Sequence, residues 1–412
     1  MVRSQHAKNR QTNMRSSSVL CVLLLAFTHP VSAQWQATAD VAANSQNVYA
    51  LTAKGSYLYA GTGSAGVSRS DNSGSSWSTF SNGITCTGIN AMTILGTSVF
   101  AGGDSGVFKV PTYENLWTQI NKGLPVTTIN TFLALHDTMI YAGTQNNGVY
   151  CSWDYGKNWF AANTGFTGQI VALASSGSAL FAAAPNYGVY LSLNSGGLWT
   201  AVNTGLTNKD VSSLATIGSN VFVGTADGVF STSNNGSNWA SVNNGLSNKK
   251  VHALFALNSH LFAGTDSGVF YTGNLGINWN YVGDGMPAGT EVWALAQYGT
   301  DLFAGIHYEP YGVWKRPISQ LTGLSEIDYA MDFTVYPNPG KNQVHVQLRN
   351  NPDTASEIKL FNLLGQEIIS FPVPENSTSL SLDLAALSPG TYLLGIHGKE
   401  GVRLYKKLIL SN

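Results

Sequence analysis

"SWDYGKNW", Ser152 to Trp159, is a polar turn that ends in a tryptophan, and its recurrence along the chain decides the fold. The turn closes a longer unit. Upstream lie an apolar strand, a second strand ending in small residues ("YAGT", Tyr141 to Thr144), and a third that begins Gly148, Val149, Tyr150. The small-residue strand returns from Tyr59, Phe100, Phe181, Phe222, Phe262 and Phe303, with successive copies 40 or 41 residues apart. The apolar strand before it returns as "VYAL", "INAM", "INTF", "IVAL", "VSSL", "VHAL" and "VWAL". Four short strands per unit, glycine-rich turns and no helical periodicity predict an all-β chain whose seven units form a seven-bladed β-propeller.

The tryptophans refine this reading. They fall at Trp77, Trp117, Trp159, Trp199, Trp239 and Trp279, but the seventh unit, ending near "GVWKRPISQL", has none in that phase. Trp35 lies 42 residues before Trp77. The stretch "QWQATAD" (Gln34 to Asp40) is therefore expected to supply the outermost strand of the seventh blade. Such closure removes free sheet edges, which otherwise template aggregation.

Composition narrows the function classes. The 412 residues are 43% hydrophobic and include 44 glycines, enough for more than one domain. Only 10% are charged and the net charge is −1, so no basic field is available for nucleic acid or an anionic membrane. The first 33 residues carry Arg3, Lys8, Arg10 and Arg15, then the apolar run "VLCVLLLAF" and "VSA" ending at Ala33, the pattern of a secretory signal peptide. Met14 offers a second start codon. Nine apolar residues are too few to span a bilayer, and no membrane span is expected elsewhere. Leu20 ahead of Cys21 is too bulky for a lipidation signal. The mature chain keeps Cys86 and Cys151, which sit in different phases of the repeat and are expected as two unpaired thiols.

The propeller is assigned to residues 34–320, followed by a linker at 321–331 and a second domain at 332–412. There the repeat gives way to alternating strands such as "NQVHVQL" and "TSLSLDL", which suggest a small β-sandwich. The motifs "YPNPG" (Tyr336, Pro337, Asn338, Pro339, Gly340), "LFNLLGQEI" with Gly365, "LSPGTYLLGI" with Gly390 and Tyr392, and "YKKLIL" with Lys406 and Lys407 occur in order up to the terminus. They resemble the type A C-terminal sorting domain of the type IX secretion system of Bacteroidota. The resemblance implies passage from the periplasm through the outer membrane, with the type IX machinery as partner, and release or attachment at the outer surface.

The repeat's turn motif, Ser-x-Asp-x-Gly-x-x-Trp, resembles the Asp-box of sialidases, and the units as a whole resemble sialidase-like and photosystem-assembly-factor-like propellers. Only Ser152, Asp154, Gly156 and Trp159 keep the aspartate. Asn72, Asn194, Asn234 and Asn274 hold that slot before Trp77, Trp199, Trp239 and Trp279, while the second unit reads "TYENLW". Asparagine shares the turn-forming hydrogen bonds of aspartate but not its acidity, so the motif reads as structural. A sialidase site needs an arginine cluster for the substrate carboxylate. Between residues 34 and 331 only Arg69 and Arg316 occur, so sialidase activity is not expected.

The propeller's glutamates are Glu114, Glu291 and Glu309. Asp104, Asp227 and Asp266 sit in Asp-Gly or Asp-Ser-Gly turns of ordinary hairpin chemistry. His136, His252, His260 and His307 show no ligand spacing, so neither a metal site nor a cofactor is legible. One loop departs from its siblings: "IHYEPYGV" brings His307, Tyr308, Glu309 and Tyr311, with Tyr187 in the fourth unit's equivalent loop and Trp293 beside Glu291 on the neighbouring inner strand. Aromatics beside a carboxylate and a histidine suit an extracellular glycan or protein ligand. The expected function is a secreted or surface-attached, non-enzymatic binding or adhesion module. The alternative is a glycoside hydrolase or lyase that uses rim carboxylates.

Overall fold

The computed structural model describes residues 34–41, 47–135, 138–309, 311–322, 332–349, 355–362, 367–374, 377, 379–398 and 403–411. The signal segment, His136, Pro310, nearly all of the linker and Gly365 lie outside the described residues.

Residues 36–317 form seven four-stranded antiparallel sheets. Sheet 1 consists of Val48–Lys54, Tyr57–Thr62, Val67–Ser70 and Ser78–Thr79, and sheets 2 to 6 repeat that order along the chain. Sheet 7 is assembled from both ends of this region. Glu291–Tyr298, Asp301–His307 and Gly312–Pro317 are joined on their outer edge by Gln36–Ala37, with Gln36 opposite Lys315 and Ala37 opposite Trp314. A short helix, Ile318–Thr322, follows the last of these strands and was not expected from the strand periodicity.

The second strand of each sheet is buried on both faces, which explains its small-residue ending. A Cβ on Gly61 would come within 2.6 Å of Ile89 Cγ2 on the first strand of sheet 2. The same approach recurs between Gly102 and Ile129, Gly143 and Ile170, Gly224 and Val251, and Gly264 and Val292. Gly305 of sheet 7 meets Val48 of sheet 1 in this way, with 2.7 Å between its would-be Cβ and Val48 Cγ1. First strands touch one another in sequence order, and that of sheet 7 touches that of sheet 1.

The tryptophans repeat a second contact. The indole N–H groups of Trp117, Trp159, Trp199, Trp239 and Trp279 donate, at 2.6–2.8 Å, to the carbonyls of Phe80, Ile120, Ala162, Val202 and Val242, each just past the outer strand of the preceding sheet. Trp35 does the same to Val282 at 2.7 Å and is only 2% exposed. Its backbone N–H donates to Asp284, as that of Trp279 does to Asn244. Gly285, at φ +96°, leaves room for the Trp35 carbonyl, which a Cβ would approach to 2.7 Å. Trp77 is the exception, half-buried with its indole on the Thr38 hydroxyl.

Near the C-terminus, a three-stranded sheet (Asp332–Tyr336, Gln343–Arg349, Ser379–Asp383) and a four-stranded sheet (Glu367–Pro372, Ala355–Phe361, Gly390–Gly398, Arg403–Leu410) share an apolar cluster that includes Val344, Val346, Ile358, Leu394 and Leu408. The "YPNPG" turn is tied to the final strand. Ile409 N–H donates to Asn338 Oδ1 at 2.9 Å, and Gly340 N–H donates to the Ile409 carbonyl at 2.8 Å. Tyr392 OH donates to the Ser388 carbonyl, Gly390 pairs with Leu410, and Lys406 and Lys407 pair through backbone with Leu394 and Leu393.

Trp35→Ala removes a buried indole and should cost about 3–5 kcal/mol, read as a lower denaturant midpoint of the mature chain; an unchanged midpoint would show that the N-terminal strand holds nothing. Cys86 and Cys151 are free and buried, and burial pushes both thiols up to about 11. At pH 8 the native protein should therefore resist iodoacetamide and take up two labels only in denaturant, as counted by mass spectrometry.

Candidate functional site

Where the first strands begin, six of the seven carry one residue too many for their partner. In sheets 1, 2, 3, 5, 6 and 7 the register shifts at Tyr49, Asn90, Asn130, Ser212, His252 and Trp293. A β-bulge bends the strand and re-aims the extra side chain. These six residues and Val171 of sheet 4 line a cavity of about 390 Å³ to which all seven first strands contribute.

Three of its polar side chains are committed to neighbouring backbone or side chains. Asn130 Nδ2 donates to Gln145 Oε1 and to the Ile170 carbonyl, while the Ser212 hydroxyl is bonded to the Val251 carbonyl at 2.6 Å. Tyr49 OH meets His307 Nε2 at 3.1 Å, which joins sheet 1 to sheet 7.

The aromatic density lies at sheets 6, 7 and 1. Trp293 is sandwiched between His252, at 4.5 Å and 16°, and His307, at 4.3 Å and 26°. Tyr49 packs edge-on against Trp293, and Tyr308 packs edge-on against His307. The carboxylates are engaged in this layer. Trp293 Nε1 donates to Glu291 Oε2 at 3.0 Å, whereas Asp266 is bonded by His252 Nε2 and paired with Lys250 at 3.2 Å. Burial pushes the Asp266 carboxyl up, but the hydrogen bonds from His252 and Lys250 outweigh it and hold the group below its ordinary range. Burial lowers His307, against a raising influence of Glu291, so its ring stays neutral at neutral pH.

Of the residues singled out from sequence, His307, Tyr308 and Trp293 come together here. Tyr308 is 56% exposed at φ +61°, with its N–H donating to Asn47 Oδ1. Glu309 is exposed and Tyr311 half-buried in the same loop. Tyr187 belongs elsewhere: its ring lies against Phe166, within sheet 4's own loops. In the sequence His252 is one of several histidines without ligand spacing, and Asp266 sits in a turn of ordinary hairpin chemistry. The available signal was positional, since His252 holds the same bulge slot as Trp293 one repeat earlier.

The Asp-box turns spend their polar groups internally. Ser152 Oγ donates to Asp154 Oδ1 at 2.8 Å and accepts from Gly156 N–H, while Asp154 accepts from Asn158 N–H. The same bonds recur with Ser70, Asn72 and Gly74; with Ser192, Asn194 and Gly196; with Thr232, Asn234 and Gly236; and with Thr272, Asn274 and Gly276. The Asn158 side-chain amide, with the Asn158 backbone and Ser152, brings the Asp154 carboxyl down to about 2.

Comparison with known proteins joins these observations to a class. Residues 334–411 match the secretion system C-terminal sorting domain. No curated protein matches the chain. Among solved structures, the chain is similar to the extracellular domain of a hybrid two-component system from B. thetaiotaomicron, at 12% identity and TM-score 0.59, covering 92% of this chain and 57% of that one. It thus spans little more than half of that domain. It is also similar to YCF48 bound to D1 peptide (14% identity, TM-score 0.56, covering 69% of this chain and 96% of that one) and to an ancestral GH74 enzyme (14%, TM-score 0.55, covering 70% and 52%). At such identities the likeness speaks for the fold alone. The protein is a β-propeller that carries a C-terminal sorting domain for type IX secretion, and its export leads to the cell surface or the medium. Among the described residues, no helix is long and apolar enough to cross a membrane.

If the turn slot is structural, Asp154→Asn should shift stability by less than about 1 kcal/mol, as the sibling asparagines suggest, while Ser152→Ala, which orphans the Gly156 N–H, should cost about 1–3 kcal/mol. Chemical denaturation of the two variants distinguishes them.

Proposed function

We propose that the protein is an extracellular, non-enzymatic binding module. Its seven sheets are read as the blades of a closed propeller, Gln36–Ala37 completing the seventh, with a C-terminal β-sandwich as the export signal. The Trp35 contacts and the Gly305–Val48 approach support closure. The ligand, a glycan or a protein segment, would dock on the face where the first strands begin. There the bulged side chains surround the cavity, and Tyr308 offers an exposed ring.

The observation that favours binding over hydrolysis is the state of the rim carboxylates. A glycosidase pair requires a general acid with a raised pKa, opposed to a second carboxylate across about 5–10 Å. Asp266 is instead held ionised by His252 and Lys250, and Glu291 accepts from the Trp293 indole. Among the described residues the carboxyl that is raised, Asp301, lies at the opposite end of its strand from His307, lifted by burial beside Lys315. The fold is compatible with a peptide ligand and with enzyme activity, since the similar solved structures include YCF48 bound to D1 peptide and an ancestral GH74 enzyme.

The deciding experiment pairs a glycan array and a peptide display screen with a panel of chromogenic glycosides, all on the mature chain. Binding should weaken at least tenfold in Tyr308→Ala, with no glycoside turned over. Turnover that disappears in Glu291→Gln or Glu309→Gln would replace this reading with a hydrolase.

A further inference from the structure

The Asp266 and Glu291 carboxylates belong to different sheets, yet both face the ring of His252. One ligand atom from each of the three residues lies within 4.8 Å of the others. The cluster already gathers positive and N–H donors: Lys250 Nζ lies 3.2 Å from Asp266 Oδ2, and His252 Nε2 bonds Asp266 Oδ1. One imidazole nitrogen and two carboxylate oxygens form a donor set suited to a divalent first-row ion such as Zn²⁺.

A second observation points to the same place. His307 is 6% exposed, and its Nδ1 has no hydrogen-bond partner although it lies 3.6 Å from Glu291 Oε2. In the tautomer where Tyr49 OH donates to Nε2, the ring proton sits on Nδ1 and faces Glu291. A buried, unmade hydrogen bond of this kind is costly. A small rotation of the carboxylate would make the bond and leave the other carboxylate oxygen for an ion, the arrangement by which outer groups orient metal ligands.

We propose that His252, Asp266 and Glu291 form a Zn²⁺ site at the mouth of the cavity, with His307 as a positioning residue for Glu291. Metal–oxygen and metal–nitrogen bonds of about 2.0–2.2 Å hold ligand atoms roughly 3.3 Å apart, so the three must close up modestly. Asp266 and Glu291 are both partly exposed, and closing on an ion would exchange part of their present bonds to His252, Lys250 and Trp293 for metal–oxygen bonds. The ion would displace the hydrogen bond between His252 Nε2 and Asp266 Oδ1, and Lys250 would keep the second Asp266 oxygen. Three protein ligands leave at least one coordination position for water or a ligand atom at the cavity mouth.

The test needs no knowledge of the ligand. Tag-free mature protein is dialysed against micromolar Zn²⁺, and bound metal is counted by elemental analysis and titrated by calorimetry. One ion per chain is expected, with affinity reduced at least tenfold in His252→Ala and in Glu291→Gln, and about 10–100-fold in His307→Phe, as for other outer-shell partners. Lys250→Met removes a competing cation and should tighten binding severalfold. Asp266→Asn preserves the shape of the site and serves if another variant fails to fold. No stoichiometric zinc in the wild type, or zinc bound equally by wild type, His252→Ala and Glu291→Gln, overturns the site; equal affinity in His307→Phe overturns the positioning role.

Discussion

The close approach of neighbouring sheets, a glycine backbone against a β-branched side chain, is the constraint on which the rest of the structure depends. At Gly61, Gly102, Gly143, Gly224, Gly264 and Gly305 a methyl group would fall 2.6–2.7 Å from an atom of the neighbouring sheet. Interiors packed to crystalline density do not absorb such an intrusion, and overpacking of this kind typically costs about 1–3 kcal/mol. The fourth repeat has Ala183 in that slot, buried in one cluster with Val211 of the next sheet. Sheets held this closely bring their first strands around one cavity.

The outer edge follows another rule. A buried indole usually finds a partner for its N–H, and those of Trp35, Trp117, Trp159, Trp199, Trp239 and Trp279 each find a carbonyl of the preceding sheet. The contact therefore links sheets as well as filling space. Trp35 obeys the rule from the far end of the chain, and Arg316 donates to the same Val282 carbonyl at 2.8 Å. The N-terminal strand itself has only two residues, so side-chain anchoring, more than its ladder, accounts for its place.

Much of this organisation was legible in the chain because it repeats. A period of 40 or 41 residues marks the strands, the phase of the tryptophans singles out Trp35, and the degeneration of the aspartate to asparagine already indicates that the slot serves a turn. The candidate site was legible only in part. The "IHYEPYGV" loop stands out as an irregularity, and His307, Tyr308 and Trp293 do meet, but Tyr187 belongs to a separate aromatic contact with Phe166. His252 and Asp266 carried no local signal, since Asp266 sits in a turn that reads like its siblings in "GGDSGV" and "GTADGV".

The amino-acid sequence by itself thus determined the repeat, its strands and turns, the sorting domain at its end and the export route that domain implies, because each of these depends on patterns within some 40 to 80 consecutive residues. The tertiary structure decided which side chains share a space. His252 and Asp266 come from the sixth unit, Glu291, Trp293 and His307 from the seventh, and Tyr49 from the first. Their meeting depends on how far each sheet turns relative to the next and on the bulge that re-aims one residue in the first strands of sheets 1, 6 and 7. Neither the angle between sheets nor the direction of a bulged side chain is written in a linear spacing.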